Sequence, residues 1–324
     1  MSASADLHDQ YRGRSVCVTG GAGFIGSHLC DALVEADADV RVIDDLSHGK
    51  AANIESIADR IEMIEASILD GSALRRAVEG CDRVFHLAAL GSVPASIEQP
   101  ASYHEVNATG TLYVLEAARQ FGVERVIFSA SSSAYGNCDE LPVRETRVPD
   151  PMSPYAVSKC TGEHLMRAYA CCYELSTVSL RYFNIFGPRQ RPDSQYAAVI
   201  PRFAAAMLAG EKPTVYGDGH QSRDFTHVDN AVRANLLAGS CAADLAGEAV
   251  NIACGGRFSL LELIDTMADL LGVESQREHA SARVGEVRHS QASIDAAREL
   301  IGYEPVTGFE QGLQQTLESF RAAV

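Results

Sequence analysis

Positive charge is scarce in this chain of 324 residues. Lys and Arg together number 27 against 43 Asp and Glu, a net charge of -16, and only three of the cations are lysines: Lys50, Lys159 and Lys212. With no basic run either, the composition argues against a nucleic-acid partner. No apolar stretch approaches the roughly 18 residues that cross a bilayer, so a membrane role is not expected. The opening MSASADLHDQYRGR is polar and has no apolar signal core; residues 1–13 read as a frayed tail. Nine cysteines occur, but there is no Cys-x-x-Cys and no zinc-like spacing. The odd count argues against a disulfide framework and for a reducing, cytoplasmic setting without a metal site. Repeats, low-complexity segments and clear linkers are missing as well. What remains is globular composition, 46% hydrophobic, long enough for one large α/β domain or two domains sharing a cleft.

The first half alternates short β-branched runs with helical patterns. Candidate strands are Ser15–Thr19, Val40–Ile43, Ile61–Ile64, Arg83–Leu87, Val126–Phe128 and Thr177–Leu180. Between the first two, Ile25, Leu29 and Leu33 recur every four residues, which is the apolar face of a helix. This alternation predicts an α/β fold, a doubly wound parallel sheet of Rossmann type over residues 1–180. After Arg181 the rhythm breaks into loops rich in Pro, Gly and Arg, with helices expected near Ala197–Leu208 and Leu260–Leu271. Residues 181–324 therefore read as a smaller mixed α/β substrate lobe, with segments near 225–250 returning to the first domain.

The first strand runs into Gly20-Gly21-Ala22-Gly23-Phe24-Ile25-Gly26. Glycines at 20, 23 and 26 between a strand and a helix suit a tight turn, close approach of backbone to a pyrophosphate, and close helix–strand packing. The helix N-terminus would present free N–H groups to the phosphates. The second strand ends at Asp44, 24 residues past Gly20. A carboxylate there can accept from both ribose hydroxyls and repel a 2′-phosphate, which selects NAD over NADP; the plainer reading is a solvated loop aspartate. In SPYAVSKCTGEHLM, Tyr155 and Lys159 stand four apart at a helix start and share one face. A neighbouring ammonium favours the phenolate and makes Tyr155 a candidate base. Upstream, the serine run Ser131, Ser132 and Ser133 follows a strand, where hydroxyls would face the ligand crevice.

Together these residues resemble the extended short-chain dehydrogenase/reductase family from about Arg14 to Tyr303, and within it the UDP-hexose 4-epimerases, particularly those acting on N-acetylated sugars. The segments that carry the likeness are HLAALGSVPASI (86–97), NATGT (107–111), SASSSAYG (129–136), SPYAVSK (153–159), RYFNIFGPRQRPDSQYAAVIPRF (181–203), GDGHQSRDFTHVDN (217–230) and RVGEVRHSQASI (283–294). The resemblance implies Ser131 as the catalytic hydroxyl, Tyr155 as the base and Lys159 as its electrostatic partner. For NAD it implies Gly20, Gly23, Phe24, Ile25, Gly26, Asp44, Ser67, Ile68, Ala88, Asn107, Tyr155, Lys159 and Tyr182. For a UDP-sugar it nominates Ser92, Ser131, Ser132, Ser133, Tyr155, Asn184, Val199, Tyr216, Arg223, Arg283 and Ser290. A guanidinium fork suits a diphosphate, although Arg223 could instead pair with Asp224 or Asp229.

The chain departs from the family pattern at Ser67-Ile68, where Asp-Ile is usual, which implies weaker NAD binding. Ser290 replaces a bulky aromatic found in glucose-type enzymes and leaves room for an N-acetyl group. Sugar 4,6-dehydratases carry an Asp-Glu pair where this chain has Ser132 and Ser133, and water removal without such an acid–base pair is implausible. A UDP-uronic acid epimerase, with Ser132, Ser133 and Arg189 holding the carboxylate, and a non-catalytic NAD-binding protein of the same fold are the alternatives. The resemblance also implies a homodimer through helices near Tyr103–Arg119 and Pro154–Ala170.

Overall fold

A computed structural model describes residues 7–191, 198–281 and 288–322. Its centre is Ser15–Thr19 (β1), whose Val16, Cys17 and Val18 are fully buried, as expected of a central parallel strand covered on both faces. On one side β1 pairs with Asp39–Asp44 (β2), which pairs with Ile61–Glu65 (β3). On the other side follow Arg83–His86 (β4), Arg125–Ser131 (β5), Ser176–Tyr182 (β6) and Ala246–Ile252 (β7). The order β3-β2-β1-β4-β5-β6-β7 is parallel throughout. Strand order reverses between β1 and β4, so a crevice opens there at the carboxyl ends of the strands.

Phe24–Glu35 (α1) follows β1, while Gly71–Val78 (α2), Gly110–Gln120 (α3) and Pro154–Tyr173 (α4) pack side by side on the opposite face. Val228–Ser240 (α6) lies beside α1. The smaller lobe is built from Val199–Leu208 (α5), Leu260–Leu271 (α7) and Phe309–Ala322 (α8) around Phe186, Phe203, Phe225, Leu263 and Phe309. Phe309 stacks on Phe258 at 3.9 Å between ring centroids.

The six expected strands are present: Ser15–Thr19 has the expected bounds, Arg83–His86 is one residue shorter, and the other four are longer than expected, while Leu260–Leu271 is helical over the expected residues. Residue 197, at the start of the expected helix 197–208, lies outside the described residues. Residues 7–13 correct the reading of a frayed tail. Tyr11 is buried against the sheet, and its hydroxyl donates to the Leu236 carbonyl on α6 at 2.6 Å. The carboxyl end of α6 is also capped from below. Arg125 on β5 donates to the carbonyls of Ala238, Cys241 and Ala243 at 2.8–2.9 Å, placing a cation at the negative end of the helix.

One buried network joins the strand ends that border the crevice. Thr111, in the first turn of α3, donates to the Asn107 carbonyl at 2.5 Å. Its oxygen is then the acceptor for His86 Nε2–H at 2.9 Å, which leaves Nδ1 to accept from the Thr19 hydroxyl at 2.8 Å. The Ala88 N–H closes the network on Thr19 Oγ1 at 3.1 Å. Burial, reinforced by the Lys159 charge, holds the His86 pKa down to about 3, so the fold accommodates the neutral ring. The unfolded chain takes up that proton near pH 6.5. The contribution of this site to stability is therefore complete above pH 6.5 and is lost progressively as pH falls toward 3. Denaturant unfolding between pH 6 and 4 should show a slope containing about 1.4 kcal/mol per pH unit from His86. The slope should be shallower in His86→Gln; equal slopes in the two proteins would remove this assignment.

Candidate active site

The glycine loop takes the shape that phosphate binding needs. Gly20 sits at φ 72°, and a Cβ there would lie 2.7 Å from the Ala88 nitrogen. A Cβ on Gly26 would overlap the Gly20 carbonyl oxygen, so this glycine lets α1 start directly against the strand. Gly23 is the N-cap of α1 and supplies no side-chain cap, and the first turn carries no acidic residue. Unpaired N–H groups and the positive end of the helix therefore face the groove. At the end of β2, Asp44 is 8% exposed. Its carboxylate accepts from Ala22 N at 3.0 Å and Leu46 N at 2.9 Å. Burial raises its pKa and these backbone donors pull it back. Two such bonds leave carboxylate lone pairs for ribose hydroxyls. Ser67 accepts from Leu69 N at 3.2 Å, a local turn that keeps its side chain close to the backbone.

Gly20, Gly23, Phe24, Ile25, Gly26, Asp44, Ser67, Ile68, Ala88, Ser92, Tyr155, Lys159 and Tyr182 line one groove of about 460 Å³. Asn107 stands behind it and shapes its wall. Its side chain accepts from Leu90 N at 2.8 Å, donates to Leu90 O at 3.0 Å, and donates to Ser158 Oγ at 3.0 Å. It comes from His104–Thr109, a π-helical turn directly before α3, of a kind that often marks functional positions.

Where the groove meets the carboxyl ends of β5 and β6, the expected triad is assembled. Lys159 is 4% exposed; its ammonium donates to the Ser129 carbonyl at 2.8 Å and lies 5.0 Å from the Phe128 ring centroid. Burial lowers its pKa to about 8, against the pull of Glu163. Ser133 donates to Ser131 Oγ from its N–H at 3.2 Å and lies 2.9 Å from it through its own hydroxyl. With Ser133 as donor, the Ser131 proton is left for another acceptor. Burial raises the Tyr155 pKa, and the neighbouring Ser131 hydroxyl acts to lower it. Tyr182 is held by Ser129 Oγ at 3.2 Å and Asn235 Nδ2 at 2.6 Å, and burial pushes its phenol up to about 12.

Beyond the triad a second cavity of about 710 Å³ is bordered by Ser131, Ser132, Ser133, Tyr155, Asn184, Arg223 and Ser290. It continues into a third of about 260 Å³ bordered by Asn184, Val199, Tyr216 and Arg223. Arg283 lies outside the described residues. The pairing considered for Arg223 meets competition: Asp229 pairs with His227 Nδ1 at 3.2 Å, and the Asp224 carboxylate accepts from backbone N–H groups. Gln190 borders all three cavities and was not singled out by sequence reasoning. Its only local signal is its place in the RYFNIFGPRQ run. The buried pair of Arg181 and Glu163, with contacts of 2.8 and 2.7 Å, was missed as well, although Glu163 follows Lys159 by one helical turn.

A family model described as the NAD dependent epimerase/dehydratase family matches residues 16–253. A relative, the UDP-glucose 4-epimerase of Mycolicibacterium smegmatis, is 37% identical over 308 residues, 94% of this chain and 97% of the relative. Among solved structures, a UDP-N-acetylglucosamine 4-epimerase from Methanobrevibacter ruminantium M1 in complex with UDP-N-acetylmuramic acid has a TM-score of 0.93 at 37% identity, covering 97% of this chain and 100% of that one. A UDP-glucuronic acid 4-epimerase from Bacillus cereus in complex with UDP-glucuronic acid and NAD has a TM-score of 0.89 at 33% identity, covering 96% and 100%. The match runs through the glycine loop, the serine run and the Tyr155–Lys159 helix, and the chain belongs to the NAD dependent epimerase/dehydratase family.

Proposed function

We propose that the protein is an NAD-dependent UDP-hexose 4-epimerase that interconverts UDP-N-acetylglucosamine and UDP-N-acetylgalactosamine, and UDP-glucose and UDP-galactose, through a 4-keto sugar. The observation that carries this reading is the convergence of Ser131, Tyr155 and the buried Lys159 at the junction of the glycine-loop groove and the second cavity. NAD, when bound, supplies the reversible acceptor for the C4 hydride. Gly20, Gly23, Gly26 and Asp44 would hold its adenosine diphosphate half, and Lys159 and Tyr182 its nicotinamide end. Tyr155 takes the proton of the 4-hydroxyl, and Ser131 can donate to one of the two oxygens while accepting from the other. The Lys159 ammonium favours the phenolate by its charge. No acid–base pair for dehydration stands beside Ser131, where the chain has Ser132 and Ser133.

Epimerisation also requires the hexose to turn over while the nucleotide stays in place. Arg223, Val199 and Tyr216 border the third cavity, set apart from the triad, which suits a firmly held UDP and a loosely held sugar. Ser290 supports tolerance of the acetyl group. Its oxygen accepts from Asn184 Nδ2 at 3.2 Å and faces Asp224 N at 3.5 Å, so its own proton is left to donate to a carbonyl oxygen such as that of an acetamido group. The uronic acid alternative loses one of its supports. Arg189 pairs with Asp31 at 2.7 Å and borders the glycine-loop groove, not the second cavity.

The helices expected to pair between protomers expose Tyr113 on α3 and Val157 and Tyr173 on α4, consistent with a homodimer. All nine cysteines are free, consistent with a cytoplasmic setting, and among the described residues no helix is long and apolar enough to cross a membrane.

Three outcomes check this reading. Tyr155→Phe should lower the epimerisation rate by about 10²–10⁴ with NAD retained; a rate near wild type would remove Tyr155 from the base role. Proton NMR of the protein with UDP-N-acetylglucosamine should show a UDP-N-acetylgalactosamine anomeric signal. Turnover of UDP-glucose alone would keep the mechanism and overturn the assignment of Ser290, and turnover of UDP-glucuronic acid alone would favour the uronic acid alternative. Sedimentation should report a dimer of the 34.7 kDa chain; a monomer would refute the helix pairing.

A further inference from the structure

The segment Gln221–His227 is where the smaller lobe converges. Thr226–His227 pairs with Ile185–Phe186, and Ser222–Arg223 pairs with Phe258–Ser259. Ser222 N donates to Arg288 O, and Ser290 N donates to Ser222 O, both at 3.0 Å. At its middle Asp224 is 0% exposed. Burying a carboxylate costs several kcal/mol unless its lone pairs are met (order of magnitude). Here they are met by backbone: Oδ1 accepts from Cys254 N and Oδ2 from Ala292 N, both at 3.1 Å, and the N–H groups of Gly255 and Gly256 nearby favour the ionised form. Gly255 has φ 72°, a conformation that lets successive N–H groups converge on one anion. The backbone of Asp224 reaches two substrate-cavity residues. Its carbonyl accepts from Asn184 Nδ2 at 3.1 Å and its N–H faces Ser290 Oγ at 3.5 Å; Arg223 is its chain neighbour.

We propose that Asp224 is a positioning residue for the UDP-sugar: its buried carboxylate gathers the N–H groups of residues 254–256 and 292 and so holds Asn184, Arg223 and Ser290 in one wall of the substrate cavity. The proposal rests on the reading of that cavity as the UDP-sugar site. Asp224 makes no contact with reacting atoms; it acts through the three side chains it aligns. Burial pushes its carboxyl up to about 7, and the backbone N–H donors, which favour the ionised form, act against that rise. Only a carboxylate offers four acceptor sites without a donor. An amide at this position would turn an N–H₂ against N–H groups.

The test uses the NAD-loaded protein with UDP itself as the probe, by calorimetry, together with KM and kcat for UDP-N-acetylglucosamine. Asp224→Asn should raise the Kd for UDP and the KM at least tenfold, with kcat within about threefold and bound NAD unchanged. Gly255→Ala, which strains the N–H cluster without touching Asp224, should raise both several-fold in the same pattern. It also serves if Asp224→Asn fails to fold. A lowered melting temperature with Kd and KM unchanged would make Asp224 a purely structural residue and overturn the proposal. An unchanged Kd in Gly255→Ala, with Asp224→Asn unfolded, would overturn it too. A wild-type protein that does not bind UDP would overturn the reading of the cavity, and this proposal with it, before any variant is made.

Discussion

A bidentate ion pair in the interior fixes where the helix bearing Tyr155 and Lys159 can lie. Arg181 on β6 grips Glu163 on α4 through two hydrogen bonds, with both side chains under 10% exposed. Arg181 also donates to the Tyr135 hydroxyl at 2.8 Å, and Tyr135 donates to Asn251 on β7 at 2.7 Å. A pair buried this deeply adds little net stability after desolvation, but its fork geometry is demanding. It therefore sets the rotation and the height of α4 over the sheet. Gly162 lets the same turn sit against the Phe128 ring, the ring over which Lys159 lies. One turn upstream the Lys159 ammonium reaches the Ser129 carbonyl, and another turn places Tyr155 beside Ser131.

Charge is distributed in keeping with that frame. The net charge is strongly negative, yet the groove holds a lysine and the N-terminus of α1, two concentrations of positive potential. Burial makes the lysine more effective than a surface cation would be, because little water screens it. The neutral His86 fits the same logic. A second cation so close to Lys159 would compete with it, and the low pKa of the ring keeps the ammonium alone beneath the crevice.

Much of this was legible in the sequence where the determinants are local. The glycine loop, Asp44 after β2, and the Tyr155–Lys159 spacing each depend on residues within one turn or one strand–helix unit, so their pattern survives in one dimension. The components that were missed are joined across the chain. His86 and Thr19 stand 67 positions apart, Asp224 and Ala292 stand 68 apart, and Tyr135 and Asn251 stand 116 apart. No periodicity announces such bonds. Segments near 225–250 were expected to return to the first domain, but β7 itself was not marked as a strand for a different reason: AGEAVNI carries Glu and Asn in a run only partly buried, as an edge strand permits, and lacks the unbroken apolar character of β1. The tail residue Tyr11 was lost among polar neighbours because nothing local shows that α6 waits for it.

That contact has a consequence for how the chain is made. Tyr11 and Leu236 are separated by 225 positions, and β7, which completes the sheet, follows later still. A nascent chain that has emerged only as far as β6 possesses every residue of the glycine loop and of the Tyr155–Lys159 helix. It still lacks the helix that covers α1 and the strand that shields β6. The core around β1 and α1 also contains Val228, Leu236 and Val250, so residues of the second half complete it. The β6 edge of the sheet stays unpaired until residues 246–252 have been made.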